Sequence, residues 1–262
     1  NMSQLFKDYT TFNDDISQWD VSNVITMHGM FQSAYAFNQD IGDWDVSNVN
    51  DMSYMFAGAT SFNQEIGDWD VSNVNDMGSM FGPPEIFYPG AASFNQEIGD
   101  WDMSNVTNMK SMFQGAVDFN QDIGDWDVSN VTNFDGAFYA TGFNQDVSGW
   151  NVTSGTNFNN MFQRSGNFNQ DIRKWDVRPG ASFTNMFLNT TAMTATYVDG
   201  TARFDNGEFR LNGDFFALSS VREQSAEVVT TGAFNFTSYR DGNFSGYFNG
   251  RSALELQLAH DM

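Results

Sequence analysis

From Phe12 onward the apolar positions run Phe12, Ile16, Trp19, Val21, Val24, Met27, Met30, Phe31, Ala34 and then Phe37, where the order begins again. Ile16-x-x-Trp19-x-Val21 carries the short alternation of a strand, with Trp19 and Val21 on one face. Val24, Met27, Met30, Phe31 and Ala34 follow the three- and four-residue spacing of one helical face. Ser22 stands where a helix N-cap is wanted, and Ser47, Ser72, Ser104, Ser129 and Thr153 stand at the matching positions. The pattern predicts, in every unit, a short strand, a cap, about three turns of helix and a return loop. Alone, such a unit cannot cover its apolar face; stacked, neighbours bury a continuous core of Trp, Val, Met and Phe.

The seven tryptophans fit this register at Trp19, Trp44, Trp69, Trp101, Trp126, Trp150 and Trp175, with spacings of 25, 25, 32, 25, 24 and 25. The long gap is an insertion around Gly82 to Gly90, and the short one is a single deletion near Tyr139-Ala140-Thr141. Both fit a connecting loop, where length changes cost little. Phe-Asn recurs at the return, from Phe12-Asn13 to Phe168-Asn169. A column of Asn beside a column of buried Phe predicts side chains that satisfy turn amides of their own unit and the next.

The pattern Ile-x-x-Trp-Asp-Val-Ser-Asn-Val-x-x-Met-x-x-Met-Phe-x-x-Ala-x-x-Phe-Asn resembles the BspA-like leucine-rich-repeat surface proteins. The match covers roughly Asn1 to Asn189, with departures at Val177-Arg178-Pro179-Gly180 and at Asn151. The resemblance implies a leucine-rich-repeat-like solenoid on a secreted or surface-anchored protein that mediates adhesion and protein–protein contact, without catalysis. The expected fold class is α/β, a solenoid of seven to eight units over residues 1–192 followed by a small antiparallel β domain or cap over 193–262. In that tail, Arg203 to Phe209 and Tyr239 to Phe244 read as hairpins with Asn-Gly and Asp-Gly turns. Phe244 to Phe248 and Ala253 to Leu258 read as further strands. The chain opens at Asn1-Met2-Ser3-Gln4-Leu5-Phe6, in the middle of a unit, which reads as a piece of a longer or processed product.

Charge changes the picture of partners. The chain carries 33 acids and 11 bases for a net charge of −22. That field repels phosphate backbones, excludes nucleic acid as a partner, and attracts cations and basic proteins. Residues 1–178 hold 24 of the acids against 6 bases, so the acidity belongs to the repeats. There are no cysteines, hence no disulfides or thiolate metal sites, and no apolar run long enough to span a membrane.

The candidate binding face follows from the strand reading. Between inward Trp and Val lies an outward residue: Asp20, Asp45, Asp70, Asp102, Asp127, Asn151 and Asp176. A second column, Asp43, Asp68, Asp100 and Asp125, sits two residues earlier and faces the same way. Like charges stacked unit on unit repel. Three arrangements offset that: hydrogen bonds from nearby Ser, Asn or backbone donors, coordination of Ca²⁺, or an acidic surface met by a basic partner. No calcium-loop motif is present. The insertion offers a second contact point through Phe87 and Tyr88, standing out from a regular scaffold. The methionines read as core from their spacing, and neither His28 nor His260 has a repeated acidic or nucleophilic partner. Regular acids in every unit argue for architecture rather than an active site, so the expectation is not an enzyme. The expected function is an extracellular or surface-exposed binding scaffold that presents its acidic face to a protein or glycan. The alternative is a structural subunit that assembles with copies of itself in a filament, sheath or particle coat.

Overall fold

The structure is a computed structural model that describes residues 1–85, 89–172, 175–178, 180–196, 202–205, 208–211, 239–240 and 243–244. The repeats do stack, but the expected strand and helix are absent from the described units. Each unit is built from turns, and the β-type pairing along the stack among the described residues is a single parallel bridge per junction. These bridges join Thr26 to Asp51, Asp51 to Asp76, Asp76 to Asn108, Asn108 to Asn133, Asn133 to Asn157 and Asn157 to Ser182. Among the described residues the only α-helix is α1, Thr191–Thr196, which lies after the repeats.

The α/β expectation fails for a definable reason. A helix would bond its amides within the segment. Here alternate amides leave it: Met27, Gly29, Phe31 and Ser33 donate to the carbonyls of Asp51, Ser53, Met55 and Ala57 in the next unit, at 2.8–2.9 Å. The residues between them close tight turns, with Met30 donating to Met27, Gln32 to Gly29 and Ala34 to Phe31. Gly29 and Ser33 have positive φ (59° each), as do Tyr54 and Gly58, Ser111 and Gly115, Gly136 and Ala140, Asn160 and Arg164, and Asn185 and Asn189. A left-handed residue every four positions reverses the chain repeatedly and keeps Met27, Met30, Phe31 and Ala34 on one side. The same apolar spacing therefore suits a string of turns. The supposed strand is likewise two turns, closed by Trp19 N to Ile16 O at 3.1 Å and Val24 N to Val21 O at 2.8 Å.

The core itself is the one expected. Apart from Trp19 and Phe12, the Ile, Trp, Val, Met, Phe and Ala positions named for the repeat are buried in the stacked units, with all nine methionines from Met27 to Met112 at zero exposure. Paired phenylalanines stack within a unit, Phe31 on Phe37 at 3.8 Å, and repeat across units, Phe31 to Phe56 at 5.6 Å. Six indole N–H groups donate to a backbone carbonyl one unit back, from Trp44 to Ile16 (3.3 Å) through Trp175 to Val147 (2.9 Å). Trp19, with no such acceptor among the described residues, is 39% exposed against 4% for Trp44.

The Asn column forms the expected ladder. Each Asn amide N–H donates to the preceding Asn Oδ1, from Asn38 on Asn13 to Asn169 on Asn144, at 2.8–2.9 Å. A second ladder runs beside it, in which Asn48, Asn73, Asn105 and Asn130 donate Nδ2 to the carbonyls of Ser22, Ser47, Ser72 and Ser104. The insertion leaves the stack at Gly82 and returns at Ala91, whose amide donates to Phe81 O as Ala34 donates to Phe31 O.

The described tail holds two separate antiparallel pairs: β1 (Ala202–Asp205) with β2 (Glu208–Leu211), and β3 (Tyr239–Arg240) with β4 (Asn243–Phe244). They lie where the two hairpins were read, but each is a two-stranded pair and no larger sheet joins them among the described residues. The antiparallel β domain is therefore corrected to two separate two-stranded pairs among the described residues. The strands read at Phe244 to Phe248 and Ala253 to Leu258 fall outside the described residues, apart from Phe244.

Candidate functional site

The acidic positions lie along the turn edge of the stack, not on a strand face. The first column has a structural duty. Asp20, Asp45, Asp70, Asp102 and Asp127 each accept, through Oδ1, the amide of the Ser two residues on, at 3.0–3.1 Å. Ser22 and Ser47 add their hydroxyls at 2.6 Å. The serines expected as helix caps thus close a turn back onto the aspartate. Asn151 makes the same pair of bonds with Thr153, at 3.2 and 2.8 Å. One carbonyl oxygen suffices there, so the fold asks for an acceptor and not for a charge. Asp176 is half-buried.

The electrostatics agree. The Ser hydroxyl first, and its amide second, hold the carboxyls of Asp20, Asp45, Asp102 and Asp127 below the ordinary range. Asp20 pushes Asp45 the other way, as Asp102 pushes Asp127, by less than the serine bonds supply. For this column the hydrogen bonds offset the repulsion, which selects the first of the three arrangements.

The second column is different. Asp43, Asp68, Asp100 and Asp125 are exposed, and none makes a hydrogen bond or ion pair among the described residues. Beside them runs a third acid row that the sequence reading passed over: Asp40, Glu65, Glu97 and Asp122, each just before the unit's isoleucine. Asp40 and Asp122 cap the amides of Gly42 and Gly124 at 3.0 Å, whereas Glu65 and Glu97 cap no amide among the described residues. The two rows rim shallow clefts. One is lined by Gly67, Asp68, Glu97, Gly99, Asp100, Asp122 and Asp125, and its neighbour by Asp40, Gly42, Asp43, Glu65, Gly67 and Asp68. Glycine between the acids is required by close packing, since a Cβ on Gly67 would stand 2.5 Å from Glu97 O. Its absence of side chain opens the cleft. The recurrence of an acid before each isoleucine was a visible signal for this row; its nearness to the second column was not.

A further set of caps was also missed. Thr26, Asp51, Asp76, Asn108, Asn133 and Asn157, the bridge residues themselves, each accept the amide two residues on, at 2.8–3.3 Å. His28, expected on a helix, sits on this turn ladder instead, with Nδ1 2.7 Å from Ser53 Oγ. His260, Phe87 and Tyr88 lie outside the described residues. The ion pair recorded among the described residues joins Lys110 to Asp135 at 3.8 Å. No group of three His, Asp or Glu side chains among the described residues is placed to hold a metal ion. No helix among them is long and apolar enough to cross a membrane.

No curated protein and no solved structure matches the chain. Its tryptophan-containing units fall almost wholly within residues matched by one family profile, in two overlapping segments, 1–88 and 84–199. On that match the chain belongs to the family described as "Mycoplasma protein of unknown function, DUF285".

Proposed function

We propose that the chain is a surface-exposed binding scaffold whose acidic turn edge meets a cationic segment of a protein partner. One observation carries this reading. Asp43, Asp68, Asp100 and Asp125 repeat in four consecutive units with no hydrogen bond or ion pair among the described residues, while the neighbouring aspartate column is capped by serine. Folding has no evident use for the second column, and stacking like charges costs free energy. The outer units carry Gln18 and Gly149 at the same place, so the turn does not demand an acid. A basic partner turns that cost into complementarity and faster encounter. The resemblance of the repeat to the BspA-like surface proteins supports an extracellular or particle-surface location and a role in contact rather than catalysis.

The test is binding of a fluorescent oligolysine peptide by anisotropy at low and physiological salt. The protein is compared with a variant carrying Asp43→Asn, Asp68→Asn, Asp100→Asn and Asp125→Asn. A control replaces Asp45, Asp70, Asp102 and Asp127 by Asn, which keeps every cap acceptor and removes the same charge. The reading requires that the first variant weaken binding at least several-fold more than the control. Equal weakening would show that net charge alone attracts the peptide.

A further inference from the structure

We draw no further inference here: the strongest candidate, the N-terminal edge of the stack, where Leu5, Tyr9, Trp19 and Ile25 are exposed and the carbonyls of Ser3, Leu5 and Lys7 meet no backbone donor among the described residues, carries nothing because nothing in the structure shows what covers it.

Discussion

The indole column allows a sharp test, because seven tryptophans in equivalent sequence positions occupy unequal environments. Trp126 is 3% exposed, donates Nε1–H to Ile98 O at 3.0 Å and stacks between Trp101 and Trp150. Trp19 is 39% exposed and its indole has no acceptor among the described residues. Trp126→Phe removes one hydrogen bond. Ile98 O still accepts from Trp101 N at 3.2 Å, so the loss is that of an ordinary bond, about 1 kcal/mol, and not of an orphaned carbonyl. The smaller ring leaves a void of roughly 40 Å³, which adds about 1 kcal/mol at ~24 cal/mol per Å³. The sum is about 2 kcal/mol, a fall of about 1 M in the urea midpoint for a slope of ~2 kcal/mol/M. Trp19→Phe loses neither term in full and should shift the midpoint by no more than about a quarter of that. Urea unfolding followed by near-ultraviolet circular dichroism of both variants measures the difference. Equal midpoints for the two would refute the claim that the indole–carbonyl column and its packing are set by neighbouring units.

Other consequences follow from the same bonds. Asn95→Ala strips the acceptor from the Asn120 amide (2.9 Å) and one of two acceptors from Gln121 Nε2 (3.0 Å; the Asn95 carbonyl at 2.7 Å remains), and should cost about 1–2 kcal/mol in urea unfolding, while Asn95→Asp, which keeps the oxygen, should cost clearly less. Ala140→Gly, at φ 54°, should raise stability by about 0.5–1 kcal/mol, because relief of the left-handed strain exceeds the added chain entropy; a loss at that site would contradict the turn geometry. The serine bonds depress the folded-state pKa of Asp20, Asp45, Asp102 and Asp127. Their contribution is therefore present above the unfolded carboxyl value of about 3.9 and lost as pH falls below it through the folded values. Replacing Ser22, Ser47, Ser104 and Ser129 by Ala should flatten that acid limb of the melting temperature. Salt should raise the melting temperature by screening the exposed acids of the second and third rows, and the Asp43→Asn, Asp68→Asn, Asp100→Asn, Asp125→Asn variant should respond less; an identical salt response would remove repulsion from the account.

Much of the core was legible from single positions. Val24, Met27, Met30, Phe31, Ala34 and Phe37 recur because each must face neighbours above and below, and burial selects apolar side chains whatever the backbone does. The Asn ladder was legible for a related reason, since a buried return needs an acceptor in every unit. The antiparallel pairs that set Asp205 opposite Glu208 and Arg240 opposite Asn243 also lie where the Asn-Gly and Asp-Gly signals in the sequence pointed. The helix was not. Its spacing of three and four is shared by a helix and by turns that carry a left-handed residue every fourth position. Those positions hold Ser33, Tyr54, Ser111, Ala140 and Arg164 as well as glycine, so no residue type announced them.

The sequence by itself therefore determined that the units stack, which side chains fill the stack, and that acids crowd one edge. Tertiary structure decided the backbone, because an amide such as that of Phe31 takes its acceptor from Met55 O in another unit, a choice no local pattern records. It also decided which acids serve the fold. Asp45 and Asp43 differ by two places and look alike in the sequence. Asp45 meets Ser47 across a closed turn, and Asp43 faces solvent beside a glycine-opened cleft with its charge unspent.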